Sequence, residues 1–279
     1  MSRAIRNQIF NLKEGTAGKG GASDPIQDLV DEYVANVTAA GHTVGEASPY
    51  TKLYGFFNDL VSSSDWADAS CYFYAHEMGY RGVDDGGTTR IRQAYPLKKV
   101  GASWITSTDI DGGLINVARR PARSATTIWG SADVRRWIGQ AGINYGTDSF
   151  EIEIKANFLA VNGQTHEFVR GSNAGGNSFI FSGLTNNRIQ FSAFNNANTL
   201  EAQVNWGAGV LITDADVTIK LIVTRTGGAT FVAEVLIDNV SKGTTSGNYT
   251  GNFTNLFLGA DTGGVYSFKK FEWAKVNKL

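Results

Sequence analysis

Cysteine is almost absent from this 279-residue chain. Cys71 stands alone, which excludes an intramolecular disulfide framework and a cysteine zinc site. It lies in the apolar run Cys71-Tyr72-Phe73-Tyr74-Ala75, the setting of a buried, inert thiol rather than a nucleophile. Proline is scarce, with four residues, and charged residues make up only 18%. No apolar run approaches the roughly 20 residues that a membrane-spanning helix needs, so membrane insertion is not expected. Met1 to Leu12 carries Arg3 and Arg6 and lacks the apolar centre of a secretion signal, so synthesis in a cytoplasm is expected. Glycine is what abounds: 33 residues, beside 42% hydrophobic and 11% aromatic content. No G-X-Y period exists, so collagen is excluded, and the apolar content suffices for a sizeable core. Glycine without proline reads as tight turns between short strands, the pattern of a mainly β sandwich or barrel.

The net charge of −1 hides a segregation. Residues 1–23 sum to +3, residues 24–77 to −8, residues 78–136 to +5 and residues 144–279 to −1. An acidic segment between two basic ones suits pairing within the chain or across subunits. Arg119, Arg120, Arg123, Arg135 and Arg136 form the basic group that nucleic acid would need. Aromatic interleaving is thin there, so nucleic acid is not the expected partner.

Three segments follow from local signals. Residues 1–23 end in a glycine-rich run and read as an N-terminal arm, with Arg3, Arg6, Phe10 and Leu12 as its docking candidates. Residues 24–94 read as a small helical subdomain. Asp24 caps a helix with Pro25 in its first turn, and Ile26, Leu29, Val30, Tyr33, Val34 and Val37 form one apolar stripe ended by Gly41. Ser48-Pro49 repeats the start signal before a stripe of Leu53, Tyr54, Phe57, Leu60 and Val61, and Trp66 through Met78 is expected as a third helix. Residues 95–279 read as a β-sandwich. Phe150, Ile152 and Ile154 alternate with Glu151, Glu153 and Lys155, and Ile219, Leu221 and Val223 alternate with Lys220 and Ile222. Hairpin turns are expected at Gly171-Ser172-Asn173, Thr185-Asn186-Asn187, Thr226-Gly227-Gly228 and Asp238-Asn239.

Two resemblances attach to these residues. The strands Ser149–Ile154, Thr218–Arg225 and Val235–Asn239, closed by Thr254–Ala260 and Val265–Trp273, resemble the concanavalin A/laminin-G-like jelly-roll domain over about residues 100–279. The N-terminal piece, with Leu60-Val61, Trp66, Tyr72-Phe73-Tyr74-Ala75-His76 and Ala94-Tyr95-Pro96-Leu97-Lys98, resembles a segment of tailed-phage virion proteins that precedes such a jelly roll. Here the polar stretch Arg81 to Arg90 interrupts that segment. Together they imply a virion structural protein, a head or tail fibre, decoration protein or receptor-binding appendage. It would be a homo-oligomer among other virion proteins.

Candidate chemistry is sparse, and no catalytic residue is expected. Glu151 and Glu153 share one face of a strand, as in jelly-roll glycosidases, but Lys155 stands where a third carboxylate belongs. Their face reads as an ordinary solvated one. His76-Glu77 and His166-Glu167 are adjacent pairs, which a strand would turn to opposite faces, and no two histidines have chelating spacing. No cofactor is expected; calcium is the ion the loops suit, with Asp214, Asp216 and Asp261 as candidate ligands beside Asn255. The same residue types also make turns. For glycans, Asn195, Asn196 and Asn198 with Trp206 supply planar polar groups and an aromatic ring, with Gln203 and Asn205 nearby. The alternative is that these asparagines build turns and Trp206 packs under a loop. The leading reading is a phage particle component that docks through its N-terminal region. A carbohydrate-binding module for bacterial surface polysaccharide and a glycan depolymerase are the alternatives.

Overall fold

Asp24 opens the first helix as expected: its carboxylate accepts from the amides of Ile26 (2.9 Å) and Gln27 (3.4 Å). Helix α1 spans Pro25–Ala39 and buries Ile26, Leu29, Val30, Tyr33 and Val37. Helix α2 spans Thr51–Ser63 and buries Leu53, Phe57 and Leu60. Its start differs from the expected cap. The residue before it, Tyr50, has no capping side chain, and Glu46 reaches in to accept from the amides of Lys52 and Leu53. A carboxylate at these free amides both satisfies them and complements the helix dipole.

The computed structural model describes residues 23–66, 71–98, 144–158, 165–173, 176–211, 213–251, 255–258 and 268–279, with short paired stretches inside 99–143. The first departure from expectation follows α2. Residues 71–78 are not helical; β1 is a strand, Tyr72–Ala75. The hairpin β2 (Gly79–Asp85) and β3 (Thr88–Ala94) comes next and carries most of the polar stretch from Arg81 to Arg90. Tyr33 ties α1 to this hairpin: its hydroxyl donates to the Tyr95 carbonyl (2.7 Å) and accepts from the Gly79 amide (2.8 Å).

Besides two-residue strands such as Thr43–Val44, which pairs with β2, the strands that follow are β4 (Phe150–Phe158), β5 (His166–Asn173), β6 (Gly176–Leu184), β7 (Arg188–Phe194), β8 (Leu200–Trp206), β9 (Asp216–Gly227), β10 (Thr230–Ile237), β11 (Val240–Asn248), β12 (Asn255–Leu258) and β13 (Phe268–Lys278). They form a jelly-roll sandwich of two antiparallel sheets. Sheet I has the order β11-β10-β9-β4-β13-β1, and sheet II the order β8-β7-β6-β5-β12 with Ile138–Gly139 at its far edge. The chain is mainly β, as expected. β1, from the N-terminal region, pairs with β13 and so completes sheet I.

Strand alternation decides what lies between the sheets. Phe150, Ile152, Ile154, Ile219, Leu221, Val223, Phe231 and Val235 from sheet I meet Phe179, Phe181, Ile189 and Phe191 from sheet II, all fully buried. The rings interlock, with Phe150 stacked on Phe179 at 5.7 Å and Phe191 edge-on to Phe231 at 5.5 Å. Each such ring removed from water contributes about 1.5–3 kcal/mol. Three of the four expected hairpin turns lie where anticipated. The exception is Gly171-Ser172-Asn173, which continues β5 and pairs with β6.

Candidate functional site

Alternation in sheet II turns a second set of side chains outward. Pairing brings Glu167, Ser182, Gln190 and Asn205 into one row across β5, β6, β7 and β8. A second row runs Arg170, Ile180, Ser192 and Gln203. At the β7–β8 end these side chains hydrogen-bond to one another. Gln190 Nε2 donates to Asn205 Oδ1 (2.8 Å), Ser192 Oγ donates to Gln190 Oε1 (3.1 Å), and Gln203 Nε2 donates to Ser192 Oγ (3.4 Å). Asn205 and Gln203 are exposed and Gln190 is half-exposed.

Such a lattice has capacity left over. A primary amide offers two donor hydrogens and an oxygen with two lone pairs, and each of these bonds uses one of them. The amide nitrogen of Asn205 and the amide oxygen of Gln203 therefore face solvent with donors and acceptors to give. Ser182, beside Gln190 in register, is fully buried, and its hydroxyl has no hydrogen-bond partner among the described residues. At the β5 side, Glu167 pairs with Arg170, both largely buried. At the far end of β7, half-buried Phe194 is in register with Leu200, which is 47% exposed.

The residues singled out for glycan contact are not gathered in one place. Asn195, Asn196 and Asn198 occupy the β7–β8 turn, where the Asn195 side chain accepts from the amides of Ala197 and Thr199 (2.9 Å each). Asn198 has a left-handed backbone (φ 61°), as a turn former does. Trp206 lies at the opposite end of β8, about 20 Å away at the rise of a strand. It is also turned inward. The ring is 5% exposed, and its indole N–H donates to the Gly243 carbonyl (2.9 Å) across to sheet I. Trp206 is therefore a core residue and offers no exposed platform. Gln203 and Asn205 do face outward, joined by half-exposed Gln190, while Ser192, which links the two glutamines, is 4% exposed. Alternation alone gives the outward face of β7, but only strand register shows that these four meet.

Other expected sites resolve differently. Glu151 and Glu153 are not on a solvated face: they are 8% and 9% exposed, and Lys275 lies 3.2 Å from Glu151. Lys220 lies 3.3 Å from Glu153. Among the calcium candidates, Asp214 pairs with Lys269, and Asp216 pairs with Lys270 at 3.1 Å and accepts from Asn157. Asp261 lies outside the described residues, and among those described no group of three or more histidine, cysteine or acidic side chains is placed to hold a metal ion. His76 and Glu77 sit in a turn rather than a strand, so they meet, 3.8 Å apart. Cys71 is buried, at 3% exposure. Arg123 spends its guanidinium on the carbonyls of Gly45 and His76 and over the Tyr80 ring; the other four arginines of its group lie outside the described residues. So do Arg3, Arg6, Phe10 and Leu12.

No protein-family model matches the sequence, and none of the curated proteins does. Among solved structures, the chain is similar to the galectin LEC-6 of Caenorhabditis elegans, at 7% identity and TM-score 0.35 over 48% of this chain and 86% of that one. Sheep galectin-11 gives 14% and 0.36, over 51% and 96%. The CBM40 of Ruminococcus gnavus IT-sialidase, bound to α2,3 sialyllactose, gives 13% and 0.37, over 54% and 94%. Values of this size speak to no binding property of this chain.

Proposed function

We propose that this chain is a non-enzymatic glycan-binding jelly-roll protein that reads sugar hydroxyls on the outer face of β7 and β8. The observation that carries the reading is the Asn205–Gln190–Ser192–Gln203 lattice. Sugar hydroxyls both donate and accept, and so do amides and hydroxyls, whereas a lysine or carboxylate face offers one role alone. Mutual hydrogen bonds already hold these side chains, so less rotamer freedom is lost on binding. Phe194 and Leu200 add apolar surface for the C–H face of a ring.

The setting we infer is a phage particle, with the sandwich turned toward bacterial surface polysaccharide. What supports it is that the amide lattice and the helical region lie on opposite sheets, so one side can dock while the other reads. Cryo-EM of purified particles checks this setting, and absence of the chain from them removes it.

A glycan array tests the binding itself. The wild type should bind a restricted set of glycans, and Gln190→Ala/Asn205→Ala should weaken that binding at least tenfold while melting at an unchanged temperature. A blank array for the wild type overturns the reading.

A further inference from the structure

A groove of about 770 Å³ runs between α2 and the outer face of sheet I, where β13 and β4 form its floor. That volume falls within the roughly 300–1,000 Å³ of small-molecule sites. A β-bulge shapes it. Lys155 is in register with Trp273 and Ala156 with Phe271, so Glu272 is the extra residue of β13. Bulges re-aim side chains, and here Glu272 and Trp273 both line the groove. The wall opposite is one side of α2, with Lys52, Gly55, Phe56 and Asp59. Trp273 stacks on Phe73 (5.5 Å), and Phe73 packs on Phe56 (5.0 Å), so the aromatic element is held from both sides.

Around this aromatic element stand lysine–glutamate pairs. Lys52 lies 2.6 Å from Glu77, and Lys155 and Lys270 each lie 2.8 Å from Glu272. Burial would raise both glutamates, but His76 and Lys52 hold Glu77 at about 2, and Lys155 and Lys270 hold Glu272 below the usual range. The pairs therefore stay charged at neutral pH. An ammonium has three hydrogens and a carboxylate about four acceptor sites, so pairing leaves both with unused capacity.

That lining selects a ligand class by elimination. An anion would face Glu77, Glu272 and Asp59; a cation would face three lysines. An apolar ligand would strip water from charges and return no hydrogen bond. A neutral ring with hydroxyls on its rim and C–H bonds on its face meets every condition. The geometry points to a second carbohydrate site in this groove, one for a neutral hexopyranoside, with its apolar face toward Trp273 and Phe56 and its hydroxyls between the lysines and glutamates. This rests on the glycan-binding reading of the chain but on different residues of the other sheet. Two sites on opposite sheets would let one chain bridge two glycans, and linked sites raise avidity without any new contact.

Gly55 supplies the test. Gly55 lines the groove and a Cβ there meets nothing within 4 Å, so Gly55→Tyr starts its side chain in open space and should fill the groove, with its melting temperature checked alongside. Saturation-transfer NMR with methyl glucoside, methyl galactoside and methyl mannoside, and with N-acetylneuraminic acid as the acidic control, reads the site. At least one neutral hexoside should give a signal that Gly55→Tyr abolishes and Gln190→Ala/Asn205→Ala retains. Lys155→Gln, at a side chain 38% exposed, is the second variant and should weaken the signal at least fivefold. No neutral hexoside signal in the wild type overturns the proposal. So does a signal that survives Gly55→Tyr, or one given by the acidic sugar alone. A signal lost only in Gln190→Ala/Asn205→Ala keeps the sheet II face and removes the groove; one lost only in Gly55→Tyr establishes the groove and leaves the sheet II face to be decided by the glycan array.

Discussion

Asp65, just past the end of α2, accepts a hydrogen bond from Lys275 Nζ of β13 at 3.0 Å, across 210 residues of sequence. The same ammonium lies 3.2 Å from Glu151, and Asn277 donates to the other Asp65 oxygen at 3.3 Å. Lysine at 275 thus joins the helical region to sheet I and neutralises carboxylates that the fold has buried. Burial alone would lower it, but Asp65 and Glu151 more than offset this and hold it above the usual lysine range. Lys275→Met should cost about 3 kcal/mol in urea denaturation, because Glu151 and Glu153 would be left with Lys220 and Asp65 with the neutral Asn277. Asp65→Asn should cost less, since it leaves the lysine its glutamates. A loss below about 1 kcal/mol for Lys275→Met would mean that water reaches the cluster and screens it.

Acid should loosen the same junction at another point. Glu77 pairs with Lys52 of α2, and its folded pKa of about 2 lies below the roughly 4.3 of an unfolded glutamate. A depressed carboxylate contributes stability that is full above the unfolded value and lost as pH falls toward the folded one. Stability measured by denaturant at pH 7, 4 and 2.5 should therefore drop most between pH 4 and 2.5. Glu77→Gln should be less stable at pH 7 and show a shallower drop.

Local periodicity made much of this fold legible. The Asp24-Pro25 start and the stripe from Ile26 to Val37 specify α1 because a helix buries one side only, and the alternation from Phe150 to Lys155 specifies β4 for the matching reason. Legibility failed where every residue is apolar. In Cys71-Tyr72-Phe73-Tyr74-Ala75 no period distinguishes a helix from a buried strand, and its partner, β13, lies some 200 residues away. Glu151 and Glu153 show the second limit. Alternation turns them out of the sandwich core, but α2 and the lysines that cover them come from elsewhere in the chain. The candidate site shows a third, since the outward side of Gln190 is readable and its meeting with Asn205 depends on register.

Trp206 separates packing from binding. Its ring is buried between the sheets and its N–H is spent on Gly243, so Trp206→Ala should destabilise the chain by about 3 kcal/mol or more. Trp206→Phe keeps most of the volume and loses the hydrogen bond, so about 1–2 kcal/mol is expected. If Trp206→Phe binds glycans like the wild type at a temperature where it is folded, the indole has no part in recognition. Thermal denaturation and the array together read both effects.

Two glycines should respond in opposite directions to the same added methyl group. At Gly55, in the middle of α2, a Cβ enters open space, so Gly55→Ala should stabilise by about 0.5–1 kcal/mol through backbone entropy. At Gly251, just beyond β11, a Cβ would stand 1.9 Å from the Phe194 carbonyl oxygen and 3.0 Å from its carbon. Those are main-chain atoms at the end of β7, so no side chain can swing aside. Gly251→Ala should cost about 1–3 kcal/mol as the strand end shifts, and glycan binding near Phe194 should weaken with it. Melting temperatures of the two variants read the opposite signs directly. A neutral Gly251→Ala would show that the chain after β11 does not pass this close to β7.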